Sequence, residues 1–261
     1  MNDKIYKTIR VEEAAPGVLK VILSRPERLN AMDYGMLDDL LSVSDGIRAG
    51  YPERYRAVVL CGDGRAFSSG GDIQFFQGIL DEPPNVVETI IARFHWFARL
   101  WYELPLPTIA ALSGAAAGGG AALALLCDIR YAAPDARVGF SFVKVGLIPD
   151  MGSHFTLPAL IGRDKALELL YTGDSVPADE AMRIGLISRV VPRERLEPEA
   201  VALAARLAAG PPDVLRTIKE LTRESRSMSL AQVLAREVTE QARLFKTPGF
   251  RSHIRDFLGR R

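Results

Sequence analysis

The segment Thr108-Ile109-Ala110-Ala111-Leu112-Ser113-Gly114-Ala115-Ala116-Ala117-Gly118-Gly119-Gly120-Ala121-Ala122 runs from a β-type apolar stretch directly into a glycine-rich turn. From Ile109 to Cys127 no residue is charged, which is long enough to imitate a membrane span. Its chemistry argues otherwise, because glycine triplets break helices and alanine adds little transfer energy. A buried strand (Thr108 to Leu112), a turn, a buried helix (Gly119 to Cys127) and a short strand (Asp128 to Ala132) fit the residues better.

The same order appears upstream. Val18 to Leu23 and Arg56 to Cys61 read as apolar strands, and Asp33 to Ala49 between them places Met36, Leu37, Leu40, Leu41 and Ile47 at helical spacing. Strand, helix, strand in repetition implies a parallel-type sheet faced by helices. A second glycine turn, Arg65-Ala66-Phe67-Ser68-Ser69-Gly70-Gly71-Asp72-Ile73, follows the strand that ends at Cys61. Val86 to Leu104 is a long helix pattern. After Pro192 the character changes, and Leu196 to Ala209, Pro212 to Arg226 and Leu230 to Phe245 read as amphipathic helices, with a short final helix after Pro248-Gly249. The expected division is an α/β core over 1–195 and a helical region over 196–261.

Composition limits the functional classes. The 261 residues hold 33 Lys plus Arg against 32 Asp plus Glu, a net charge of +1, so nothing electrostatic calls for nucleic acid or an anionic membrane surface. The N-terminus has no apolar signal region, and the expected location is the cytoplasm. Two cysteines, Cys61 and Cys127, argue against a disulfide framework. Histidines at 95, 154 and 253 form no cluster and no zinc-type spacing is present, so no metal is expected.

Each glycine turn follows a strand and can bring backbone N–H groups close to a ligand. Two such groups on one oxygen would form an oxyanion hole; alternatively both segments are tight strand-to-helix turns. Neither fits the dinucleotide fingerprint or the phosphate loop.

With their surroundings these turns resemble the crotonase family, the enoyl-CoA hydratases and isomerases. The matching blocks are Ser24-Arg25-Pro26-Glu27-Arg28-Leu29-Asn30-Ala31, Phe67-Ser68-Ser69-Gly70-Gly71-Asp72-Ile73, and Gly118-Gly119-Gly120 with Cys127-Asp128-Ile129. Val145-Gly146-Leu147-Ile148-Pro149, Thr172-Gly173, and Ala181 with Gly185-Leu186-Ile187 and Val190-Val191 follow in family order along essentially the whole chain. The resemblance implies a spiral of ββα repeats with a C-terminal helical trimerisation region, an acyl-CoA thioester substrate, no permanently bound cofactor, and a homotrimer or dimer of trimers. It assigns the two oxyanion N–H groups to Gly71 and Gly119. It implies that Arg25 or, in preference, Arg28 approaches the CoA phosphates, and that the backbone from Ser69 through Gly70 to Gly71, with Asp72 and Ile73, borders the adenine and pantetheine arm. Phe257 and Arg260 match an aromatic and a basic residue that reach a neighbouring subunit's CoA, although His253 stands where a glycine is usual.

The departures concern the reaction. Hydratases of the family carry two glutamates at positions occupied here by Ala122 and Phe142, and hydration needs a held water and a proton source. One carboxylate, Asp150, sits where most hydratases carry glycine. In members that shift double bonds an acidic residue there faces the acyl carbons, and one carboxylate can move a proton between two carbons. Phe142 would dry its surroundings and raise its pKa. Alternatively Asp150 caps the helix that starts near Gly152. His95 loosely matches a histidine of the chlorobenzoyl-CoA dehalogenases; packing among Phe94, Trp96 and Phe97 is the favoured alternative. Asp72 is expected to orient the first turn, Asp128 to end a helix at a sheet corner, and His154 to lie on the surface. Double-bond isomerisation is the preferred reading. The others are a hydratase with an atypical site, a hydrolase or dehalogenase with Asp150 as nucleophile, and a non-catalytic acyl-CoA binder.

Overall fold

The computed structural model describes residues 5–259, of which the side chains of His253, Asp256 and Phe257 are not described. Among the described residues there are ten strands: β1 (Ile9–Ala15), β2 (Val18–Leu23), β3 (Ala57–Gly62), β4 (Ala66–Ser68), β5 (Thr108–Leu112), β6 (Ala115–Ala117), β7 (Ile129–Ala132), β8 (Arg137–Gly139), β9 (Ser175–Pro177) and β10 (Arg189–Val190). They form two sheets. The larger has the order β1-β2-β3-β5-β7-β10, parallel except for the β1–β2 hairpin; the smaller is β4-β6-β8-β9.

The helices are α1 (Tyr34–Gly50), α2 (Ile73–Ile79), α3 (Pro84–Tyr102), α4 (Gly119–Leu125), α5 (Ser153–Ile161), α6 (Arg163–Thr172), α7 (Ala178–Arg183), α8 (Arg193–Ala208), α9 (Pro212–Glu224), α10 (Leu230–Phe245) and α11 (Pro248–Gly259). The chain repeats one unit. β3 leads into β4 and α2, β5 into β6 and α4, and β7 into β8 and α5, so each long strand gives way to a three-residue strand of the second sheet and then a helix. This is the crotonase-type spiral of ββα repeats, with a helical C-terminal region.

Strand periodicity divides the core. Val58, Leu60, Ala110 and Leu112 face an interior filled by Phe67, Phe97, Trp101 and Phe140. Ala57, Val59, Cys61, Ile109 and Ala111 face the opposite side, where Leu196, Ala200, Ala204 and Ala208 of α8 cover them. Alanines four residues apart leave a helix face shallow enough to lie flat on the sheet. The inner strands β2, β3 and β5 are therefore buried on both faces, which is why they read as continuous apolar runs. α8 belongs to this covering layer, and the helices that follow it lie beyond. Cys61 and Cys127 are both buried and free.

α9 is fastened to the core by polar contacts. Lys219 pairs with Asp128 at 2.7 Å and donates to the Leu106 carbonyl at 2.9 Å. Asp128 in turn accepts from the Thr108 amide and hydroxyl, joining the end of α4 to the start of β5. No helix among the described residues is long and apolar enough to cross a membrane. α4, the helix of the uncharged stretch, has seven residues, all buried.

Candidate active site

The two glycine turns meet. Met32 donates to the Gly70 carbonyl at 2.7 Å and accepts from the Asp72 amide at 2.9 Å, so the first turn is pinned to the segment before α1. Asn30 supports it from below, donating through Nδ2 to the carbonyls of Asp63 and Ala66, while Ser68 Oγ donates to the Asn30 carbonyl. The second turn is held by Gly118 N–H on the Gly139 carbonyl of β8. Gly70 and Gly118 both adopt positive φ, and a Cβ on Gly70 would stand 2.6 Å from the Ala117 carbonyl. Only glycine permits that approach of one turn to the other.

As a result Gly71 and Gly119 are neighbours. A Cβ on Gly119 would lie 3.8 Å from the Gly71 nitrogen. Among the described residues neither amide has a protein acceptor. Two unmatched N–H groups this close can hold one oxygen that gains negative charge, with no charged side chain involved.

Both line a cleft of about 340 Å³, together with Arg28, Ala31, Ser69, Asp72, Ile73, Gln74, Phe76, Gly118, Ser141, Phe142, Val145 and Leu147. Of the residues expected at the site, the structure therefore gathers Gly71, Gly119, Phe142, Arg28, Ser69, Asp72 and Ile73. Gly70 lies buried behind them.

Arg25 takes a different position from the one the resemblance implies. Its guanidinium pairs with Asp33 and Asp72, each at 2.9 Å, and also donates to the Ala31 carbonyl, leaving the side chain 16% exposed. It braces the first turn from behind, whereas Arg28 is exposed at the cleft. Asp72 is the other half of the brace. Burial would raise its carboxyl, but the Gln74 amide and Arg25 outweigh this and hold it below the ordinary range. It also caps α2.

Asp150 is half-buried, and its Oδ1 is shielded from solvent without a hydrogen-bond partner. Burial raises its pKa above the ordinary 3.8, partly countered by electrostatic interaction with His95 and by backbone. The carboxylate does not cap α5. Gly152 occupies the N-cap with no side-chain bond, and the Asp150 backbone carbonyl, not its carboxylate, accepts from Ser153. Asp150 and Ala122 do not line the cleft itself; Ala122 is buried in the core within α4. His95 is exposed on α3, so the packed position expected for it is not what forms; the interior face of α3 is Ile90, Phe97, Ala98 and Trp101. His154 is exposed. Arg260 lies outside the described residues, as does the side chain of Phe257.

Sequence reasoning missed three contributors. Phe76 rests on Gly71, Met32 fills the space beside Gly119 (its Cε would meet an added Cβ at 2.7 Å), and Ser141 stands near Gly118. Only Ser141, adjacent to a position already singled out, left a signal in the residue order.

Known proteins with this arrangement are numerous and agree. Residues 13–261 match the family model for enoyl-CoA hydratase/isomerase. A Rhodobacter capsulatus protein named "Probable enoyl-CoA hydratase" is 35% identical over 256 residues, covering 98% of this chain and 96% of its own. The mitochondrial Delta(3,5)-Delta(2,4)-dienoyl-CoA isomerase of Pongo abelii is 34% identical over 245 residues, covering 89% of this chain and 73% of its own. The crystal structure of an enoyl-CoA hydratase from Bacillus anthracis superposes with a TM-score of 0.91 at 30% identity, covering 98% of this chain and 97% of that one. Strand order, turn geometry and these matches give one conclusion: the chain belongs to the enoyl-CoA hydratase/isomerase family.

Proposed function

We propose that the protein is an acyl-CoA enzyme that shifts a carbon–carbon double bond, with Asp150 as the proton carrier. The thioester carbonyl sits on the N–H groups of Gly71 and Gly119. Asp150 takes a proton from C2 of a 3-enoyl thioester, the electron pair moves into the dienolate held by the two N–H groups, and the proton returns at C4 to give the conjugated 2-enoyl thioester. The observation that carries this reading is the buried, unpartnered Oδ1 of Asp150, with its raised pKa and no capping bond, in a chain whose two hydratase glutamate positions are Ala122 and Phe142. A carboxylate with that environment is a better base near neutral pH than an exposed one.

Hydration through an atypical water site is the second reading, and Ser141 favours it, because this hydroxyl-bearing residue lines the cleft beside Gly118. Arg28, exposed at the cleft, is the residue proposed to meet the CoA phosphates. The assembly proposed is a trimer or a dimer of trimers, supported by Leu230, Leu234, Val238 and Phe245, which stand exposed along α10 in the single chain. Supplying a 3-enoyl-CoA and a 2-enoyl-CoA separately and identifying the products tests the reaction. Faster formation of the 2-enoyl isomer than of the hydrated product supports isomerisation; faster hydration overturns it.

A further inference from the structure

The side of Gly71 where a side chain would project is filled by the ring of Phe76: a Cβ built there falls on the ring tip. Phe76 stands on α2, one turn beyond the Asp72 cap, and lines the same cleft as Gly71 and Gly119. Its ring is braced from behind. Phe75 meets Phe76 with ring centroids 5.9 Å apart, and Phe75 itself lies edge-on to Tyr34 of α1 at 4.7 Å and 6.1 Å from Phe94 of α3. The Phe75 anchor joins α2 to two longer helices, while Phe76 remains 38% exposed at the cleft. A ring fixed against Gly71 also stands next to the carbons attached to any carbonyl whose oxygen rests on the Gly71 amide. Its fixed edge then limits how far and how broadly an acyl group extends from that carbonyl.

We propose that Phe76 is the residue that sets the size of the acyl group this enzyme accepts, the ring closing the cleft against long chains. This rests on the acyl-CoA reading of the site, and not on which reaction the site performs. Arg28 and Ser69, the cleft residues expected to face CoA, lie outside α2, so free CoA serves as the reference that separates a change at the acyl end from one at the CoA end. Each methylene newly able to leave water in the opened space strengthens binding about four-fold, from roughly 0.8 kcal/mol per buried CH2.

The test uses saturated butanoyl-, octanoyl- and dodecanoyl-CoA, which cannot isomerise or hydrate, with free CoA as the reference, and measures their Kd by calorimetry on native protein, Phe76→Ala and Phe76→Leu. The expected result is a native preference for the short chain. Phe76→Ala then shifts it to the longer chains by at least ten-fold relative to butanoyl-CoA, with Phe76→Leu between them and free CoA unchanged. A second readout is genetic coupling. Gly71→Ala weakens butanoyl-CoA binding in the native background and much less in the Phe76→Ala background, where the ring is gone. An equal change for every thioester, no change, or additive effects of Gly71→Ala and Phe76→Ala would overturn the assignment. Native protein that binds free CoA and every acyl-CoA equally would instead remove the acyl site itself. An enzyme that shows the length shift yet fails to isomerise would contradict only the proposed reaction.

Discussion

Arg25 holds Asp72 at 2.9 Å, and through that pair it fixes the turn that presents the Gly71 amide. Arg25 stands behind the cleft wall to which Asp72 belongs, and the Asp72 side chain is only 8% exposed, so removing the cation leaves a buried carboxylate uncompensated. Arg25→Met is expected to cost on the order of 3 kcal/mol in unfolding free energy. Arg28→Ala acts in the opposite manner, leaving the denaturation midpoint unchanged and weakening CoA thioester binding about ten-fold through loss of a charge-assisted hydrogen bond. Denaturant melts and calorimetric titrations of the two variants separate these roles; the reverse pattern would make Arg25 the phosphate contact.

The two turns respond differently to substitution. Gly119→Pro removes a donor without touching the strands, and its turnover should fall about 100-fold to 1,000-fold in a protein that still folds. Gly70→Ala forces a Cβ against the Ala117 carbonyl at a positive φ and should lower stability as well as rate. Steady-state rates beside circular dichroism melts distinguish them. Normal turnover by folded Gly119→Pro would remove Gly119 from the site.

Asp150 carries a stability cost with a defined sign. Its folded pKa is raised above the unfolded 3.8, so between those values the native state keeps a proton that the unfolded chain has released. Stability therefore falls as pH rises through that interval, and the full cost persists at neutral pH. Asp150→Asn should be more stable than the native protein at pH 7, with the advantage gone below about pH 3.8. An Asn variant less stable at pH 7 would show that the carboxylate is satisfied.

Light scattering addresses assembly. The exposed apolar residues of α10 call for a covering partner, and the proposed trimer or dimer of trimers predicts a mass of three or six chains at micromolar concentration; a single-chain mass would count against it.

Much of this was legible in the residue order. Val18 to Leu23 and Thr108 to Leu112 form the strands their apolar runs predict, because strands buried on both faces need no alternation. The second sheet was not legible. Its strands are three residues long, and Ala115-Ala116-Ala117 reads as part of a turn until β4 and β8 pair on either side of it. The glycines of the site were readable because backbone crowding demands them. Arg25 was not, since a guanidinium near glycines is equally suited to a phosphate or to a carboxylate, and Asp33 and Asp72 decide between them only in three dimensions. Phe76 left no signal because its role depends on the direction of α2.

The most direct measurement follows a 3-enoyl-CoA in deuterated water with native protein and Asp150→Asn. Native protein should yield the 2-enoyl isomer with partial rather than full deuterium at C4, since one carboxylate with a solvent-shielded oxygen returns much of the proton it took, and should form this isomer faster than it adds water. Asp150→Asn should bind the thioester with little loss and isomerise at least a thousand-fold more slowly, on the order expected when the only general base is removed. Isomerisation by the Asn variant at the native rate would contradict the account.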